Sequence, residues 1–467
     1  MAALWLQAAV AATAVAQGPP AAVSATGAVT DPRAATPLDS LLPAAVRAVV
    51  LRANPALVAR RAALDAARAR GRAVGFAPAA QLSVSTEEAP NANPLAGNVT
   101  AVLSREFLTG SRRAALRGVS AADVRAVEAA LAVTERQVLA RALRAGTRAV
   151  GWRAVAQRLA AQDSLLASAE VSLRTRFAVA DARYVDVLRL RTERLRVQAD
   201  QAAAVTEART GLIDLETLVA GDQAAAGALR TAVDALALAA STTGGVGAGG
   251  PLARGTLPPA PSIEVLLTQS GQLPLAEAEV TRALAAQQVV LATQRPQFTA
   301  GLGLGRVATD RAPGRSGAIY SPAVQAAVSL PFTARRANAA AAVAAGQGVV
   351  AATAARQATV VALTGGLRAA RERYEAARTR LAVFDAALLR GAREEREGAL
   401  GAYRAGTLTL LELVDFERAL SRVEIDRTRA VLDGLTALAD LYAGAPTSEG
   451  AAPTPSVTDP AQGTNAP

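Results

Sequence analysis

Side chains able to do covalent or acid–base chemistry are scarce in this sequence. Its 467 residues include no cysteine, no histidine and no lysine, so all 50 basic residues are arginine. Without cysteine there is no disulfide framework, thiolate nucleophile or sulfur-ligated metal. Without histidine there is no Ser-His-Asp triad and no HExxH helix. Without lysine there is no Schiff base and no Walker lysine. Carboxylates remain, and none stand out as an acid–base couple beyond Glu412 and Asp415, which follow the glycine-containing segment from Tyr403 to Thr409. The run Gly301-Leu302-Gly303-Leu304-Gly305 lacks the third glycine spacing of a phosphate loop and opens no βαβ unit, so it reads as a small-residue strand. The chain is read as a non-enzyme with no cofactor and no metal site.

The elements that position these residues are mostly helical. Alanine is the commonest residue, and alanine and arginine both favour helix. At 3% aromatic residues, long helices packed through small side chains fit better than aromatic cores. The net charge of +11 raises a second reading, a cytoplasmic Arg-rich coiled-coil protein binding nucleic acid. However, most arginines alternate with Glu and Asp, as on solvated helix faces, and no nucleic-acid partner is expected. Residues 1–16 end in Ala14-Val15-Ala16 and read as a signal peptide without its usual basic start. Residues 17–37 read as a disordered leader, 241–261 as a Gly-rich linker and 444–467 as a disordered tail. No later run, Ala339 to Ala355 included, is apolar enough for a spanning helix, which leaves a closed β-barrel as the spanning option.

Landmarks recur at nearly constant spacing. Ser104 and Ser329 are 225 residues apart, as are Phe107 and Phe332, whereas Phe177 and Tyr403 are 226 apart, as are Asp214 and Asp440. Internal duplication follows, with repeats at 38–240 and 262–443, each reading helix, strand, loop, strand, long helix, helix. The opening helices are expected from Leu38 to Ala77 and from Ser262 to Arg295. Strict alternation marks strands around Leu82 and Val84, Val99 to Leu103, Phe298 to Leu304, and Val324 to Leu330. The loops from Glu87 to Gly97 and from Ala308 to Gly317 carry turn residues. Apolar residues recur every seventh position from Val124 through Leu131, Val138, Ala145, Trp152, Leu159 and Leu166 to Leu173. They do so again at Val360, Leu367, Tyr374, Leu381 and Leu388. Four strands cannot close a membrane barrel, which needs at least about eight, so the chain must share one with other copies.

This plan resembles the TolC family of outer-membrane efflux proteins over roughly residues 38–443. The resemblance rests on Leu41-Leu42-Pro43-Ala44-Ala45-Val46 with Asn54-Pro55, on the strand-to-helix transitions Ser104-Arg105-Glu106-Phe107-Leu108-Thr109-Gly110 and Ser329-Leu330-Pro331-Phe332, and above all on Tyr403 to Asp415. It implies a homotrimer whose four strands per chain form a twelve-stranded transmembrane β-barrel continuing into a long coiled-coil α-helical barrel, the periplasmic tunnel. It also implies a passive export duct partnered by a periplasmic adaptor and an inner-membrane pump of the RND or ABC type, seated in outer-membrane lipid. The resemblance places a constriction ring on Glu412 and Asp415, with Asp186 as first-half equivalent. A ring of three inward carboxylates favours cations and gates by repulsion; equally, these are ordinary acids at helix starts. Adaptor docking falls on the turns at Ala180, Asp181, Arg183 and Tyr184, and at Tyr403, Gly406, Thr407 and Leu408. Ala180 stands where the family has glycine, and Leu408 where its best-known pattern has arginine. A periplasmic adaptor itself fits less well, having one helical hairpin where this chain has two.

Overall fold

The computed structural model describes residues 41–74, 79–87, 98–180, 182–242, 257–308, 318–329 and 334–444. The expected signal peptide, leader, interstrand loops, tail and most of the linker lie outside the described residues, as do Asp181 and the Leu330-Pro331-Phe332 transition.

The first half enters through α1 (Ala44–Ala53) and α2 (Pro55–Ala73), two helices where the sequence predicts one. Asn54-Pro55 makes the break. Pro55 has no amide to donate to the preceding turn, and Asn54 Oδ1 accepts from the Leu57 amide at 3.1 Å. Asn54 Nδ2 also donates to the Leu218 carbonyl at 2.8 Å, which ties the break to a distant helix end. Next come β1 (Gln81–Glu87), β2 (Asn98–Phe107), α3 (Gly110–Ala178) and α4 (Tyr184–Thr217). A further helix, α5 (Gln223–Thr242), was not expected; Asp222 Oδ1 starts it by accepting from the Ala225 amide at 2.9 Å.

The second half repeats the order: α6 (Ile263–Gln269), α7 (Gln272–Thr293), β3 (Gln297–Ala308), β4 (Ala318–Ser329), α8 (Arg335–Val383), a π-helical turn (Phe384–Leu388), α9 (Leu389–Arg404) and α10 (Leu410–Ala443). Here Gly271, at φ 72°, splits the expected opening helix. The π turn lies between the landmarks spaced 225 apart and those spaced 226 apart. A π turn holds one more residue than an α turn, so the extra residue is absorbed without changing the helix phase beyond it.

The four strands form one antiparallel sheet in the order β1-β2-β3-β4. Leu82, Leu103, Leu302 and Val324 make one cross-strand row, and Val84, Ala101, Leu304 and Pro322 the next. Leu82, Val84, Leu302 and Val324 are all exposed on this apolar face. The other face is small and polar, with rows such as Ser85, Thr100, Gly305 and Ser321. Gly303 is required by close approach, since a Cβ there would lie 2.1 Å from the Ala101 carbonyl oxygen. The outer edges of β1 and β4 pair with nothing among the described residues.

The helices run away from the sheet. At 1.5 Å per residue, α3 is roughly 100 Å long. Its expected seam is buried at Val138, Ala145, Leu159, Leu166 and Leu173, and Leu367, Tyr374 and Leu381 are buried on α8. Leu388 departs from the expected seam at 44% exposed, because it ends the π turn, where the heptad phase slips. The main core joins both halves through Leu57, Leu143, Leu215, Leu229, Leu367 and Leu438. By length and composition α8 is long and apolar enough to cross a membrane, contrary to the sequence reading, but none of its apolar window is buried in this chain. Its apolarity comes from alanine rather than from large side chains.

Candidate constriction and docking site at the helix tips

At the ends remote from the sheet, α3 turns into α4 and α9 turns into α10. The two turns correspond at their left-handed residue. Ala180 has φ 61° and Gly406, 226 residues on, has φ 75°. In both, the left-handed residue donates its amide three residues back: Ala180 to the Phe177 carbonyl and Gly406 to the Tyr403 carbonyl, each at 3.0 Å. At the second tip the Thr407 amide also reaches the Ala402 carbonyl at 3.0 Å, which completes a Schellman motif. Ala180 thus takes the geometry glycine would take, at a cost of about 1–2 kcal/mol for its Cβ.

The helix starts beyond the turns differ. Thr409 caps α10: its amide donates to Glu412 Oε2 at 2.8 Å, and its Oγ1 accepts from the Glu412 amide at 3.3 Å, a capping box. The Thr409 amide and then the Thr409 hydroxyl hold the Glu412 carboxyl below its ordinary range, so it is ionised at neutral pH. Arg183 occupies the equivalent place on α4 and caps nothing with its side chain. Asp186 follows it as Glu412 follows Thr409.

Glu412 and Asp415 are exposed and Asp186 is partly exposed; none makes an ion pair among the described residues. Beneath the tips, Leu166, Leu173, Val187, Leu190 and Val414 share one cluster, with Ala182 and Leu410 packed against it. Both tips therefore lie at one end, and their carboxylates stand over a common apolar support. Around the first tip, the Phe177 and Tyr184 rings lie 5.5 Å apart, and Phe177, Val179, Tyr184 and Val185 are all exposed. At the second, Arg404, Gly406 and Thr407 are exposed, while Tyr403 and Leu408 are half-buried. Asp181 lies outside the described residues.

The sequence reading missed the charge network behind the tips. Glu170, 5% exposed, holds Arg174 and lies 3.2 Å from Arg194, which also bonds Asp163 at 3.0 Å. Donating first to Asp163 and then to Glu170 raises the Arg194 pKa further. Its signal in the sequence was only the Glu170–Arg174 spacing. Among the described residues no cluster of acids is placed to hold a metal ion.

Solved structures share this arrangement over most of their length. The outer-membrane channel OprN superposes with a TM-score of 0.65 at 18% identity, over 85% of this chain and 88% of that one. The fold is that of the TolC-family outer-membrane channels. The Campylobacter jejuni CmeC outer-membrane channel shares it with a TM-score of 0.64 at 13% identity, covering 85% of each chain. The open state of the Neisseria gonorrhoeae MtrE outer-membrane channel does so at 0.53 and 19%, covering 85% of this chain and 87% of that one. No family model matches the sequence, and no curated protein does. The fold thus bears out the resemblance read from the strand-to-helix transitions and the tip motif.

Proposed function

We propose that the chain is the outer-membrane channel of a tripartite efflux or secretion system, a duct that conducts passively while a pump supplies the energy. The observation that carries this is the sheet. It is largely apolar on one face, with Arg105 and Arg306 toward its two ends, small and polar on the other, unpaired at both edges among the described residues, and joined at one end to helices roughly 100 Å long. Unpaired edges are untenable in lipid, so three copies close a twelve-stranded barrel. The exposed, alanine-rich window of α8 suits close packing against a neighbouring copy. The matched turns at Ala180 and Gly406 fit descent from one duplicated unit.

On this reading the helical tunnel lies in the periplasm, its tips dock an adaptor, and Asp186, Glu412 and Asp415 from three copies ring the tunnel end. Capping and ring duties are compatible for Glu412, because its cap keeps the carboxylate charged. The nucleic-acid alternative finds less support. Along the long helices away from the sheet, arginines that would face a nucleic-acid backbone are spent on acids, as with Arg148 at 2.7 Å from Glu207 and Arg418 at 2.9 Å from Glu193.

Purified in detergent, the chain is expected to be trimeric and to form pores in planar bilayers; a monomer without conductance refutes the channel. Replacing Asp186, Glu412 and Asp415 with Ala is expected to change conductance or weaken cation preference. Unchanged currents would remove these residues from the constriction.

A further inference from the structure

The helix ends that carry the sheet are cationic. α2 closes with Arg70 and Arg72 ahead of β1, and α3 opens with Arg112, Arg113 and Arg117 after β2. Arg295 follows α7 two residues before β3, and α8 opens on Arg335 and Arg336 after β4. Arg70 lies 3.8 Å from Asp123 and Arg112 lies 2.6 Å from Glu106. By contrast Arg72, Arg113, Arg117, Arg295, Arg335 and Arg336 are exposed and make no ion pair among the described residues. In the second half acids are also absent from the flanking sequence: between Glu279 and Glu372 the only one is Asp310, beyond the far end of β3.

Helix stability does not explain this placement. The first turn of a helix carries partial positive charge and favours acids, yet α3 and α8 have no acid there and begin with arginine pairs. Because Cα–Cβ bonds tilt toward a helix N-terminus, the arginines of α3 and α8 lean back toward the sheet. By helix rise, Arg113 and Arg117 stand roughly 5 and 10 Å along α3. The headgroup layer is roughly 5–7 Å deep on each side of the bilayer, and an arginine side chain extends with an apolar stem and charged tip to cover the rest.

A second observation comes from the groove between α2 and α3, about 770 Å3 in volume, where Arg68, Arg72, Arg117 and Arg125 surround Ala121 and Val124. Its one acid, Glu128, is engaged by Arg68 at 2.7 Å. By helix rise its lining on α3, Arg117 to Glu128, runs roughly 10 to 27 Å from the start of that helix, so only the end with Arg72 and Arg117 comes near the sheet, whose last apolar row pairs Phe107 with Phe298. The sheet has no tryptophan to anchor it at the interface, and barrels ordinarily carry an aromatic girdle there.

We propose that these arginines form a collar that binds the headgroup phosphates of anionic phospholipid in the leaflet on the helix side, setting the depth of the barrel. The collar rests on the outer-membrane reading and adds a lipid partner to it. Juxtamembrane Lys and Arg side chains gain affinity from anionic headgroups through their charge.

The test is thermal unfolding of the full chain in detergent micelles doped with phosphatidylglycerol, phosphatidylcholine or inorganic phosphate. Phosphatidylglycerol alone is expected to raise the midpoint. The R113Q/R117Q/R335Q/R336Q variant should need about tenfold more of it for half the shift, whereas the matching four-lysine variant should retain the response. The R189Q/R191Q variant, altered at exposed arginines far from the sheet, should respond as the parent does. Equal stabilisation by phosphatidylcholine or by inorganic phosphate overturns the collar, as does an undiminished response in the glutamine variant or an equal loss in R189Q/R191Q. If the glutamine variant does not fold, the comparison of additives on the parent chain and the lysine variant decides. The channel reading is scored separately by conductance, so a chain that conducts without a phosphatidylglycerol response sinks the collar alone.

Discussion

Ala180 is in a left-handed conformation that an alanine side chain opposes, in a turn that its counterpart Gly406 makes without strain. Ala180→Gly is therefore expected to stabilise the chain by about 1 kcal/mol, less the extra freedom glycine gives the unfolded state. Gly406→Ala should destabilise it by about 1 kcal/mol; thermal midpoints of the two variants check both signs. A second residue-scale expectation concerns Asp440. Burial raises its carboxyl pKa against the pull of Arg144 at 3.4 Å and Arg373 at 4.0 Å. A raised folded pKa means that the folded chain still holds a proton the unfolded chain has released. Stability from this group therefore falls as pH rises from the ordinary carboxylate value through the raised one. Asp440→Asn should flatten that fall, which midpoints recorded from about pH 4 to 7 would show; an unchanged pH slope contradicts it. The tip acids were legible in the sequence because the Tyr403 to Asp415 motif is local. The Glu170–Arg194 network was not, because it joins residues on two helices that only packing brings together.

At the scale of elements, the π turn at Phe384–Leu388 carries the extra residue of the second half. Deleting Ala387 should convert it to α-helix while preserving the phase of α9, with little change in thermal midpoint. Deleting Ala355, in the unbroken part of α8, rotates every later side chain by about 100° and should abolish folding. Comparable damage from both deletions would show that the turn is not a tolerated insertion. The seven-residue seam and the four strands were readable in advance, since period and alternation are written along the chain. The break at Asn54 had a local signal in Pro55 that the expectation of one opening helix passed over, whereas the break at Gly271, which faces the Arg136 side chain, and the added helix α5 were not readable.

For the whole molecule, the two faces of the sheet have opposite fates. Val84→Arg places a charge on the face read as lipid-facing, where it costs about 2–4 kcal/mol at mid-membrane, and recovery in the outer-membrane fraction should collapse. Ser85→Arg, one residue on and on the small polar face, should be recovered there and alter conductance instead. Equal recovery of both variants would overturn the assignment of faces.

The sequence by itself determined which reactive side chains are missing, the recurring order of elements, the heptad seams and the alternation of the strands, because each depends on residue type and spacing along the chain. Only the tertiary structure decided that the two hairpins merge through β2 and β3 into one sheet, that its apolar rows line up across four strands, and that its two outer edges have no partner strand among the described residues. Strand register and helix packing are set by contacts between residues some two hundred positions apart, and nothing in a local pattern fixes which of those contacts form.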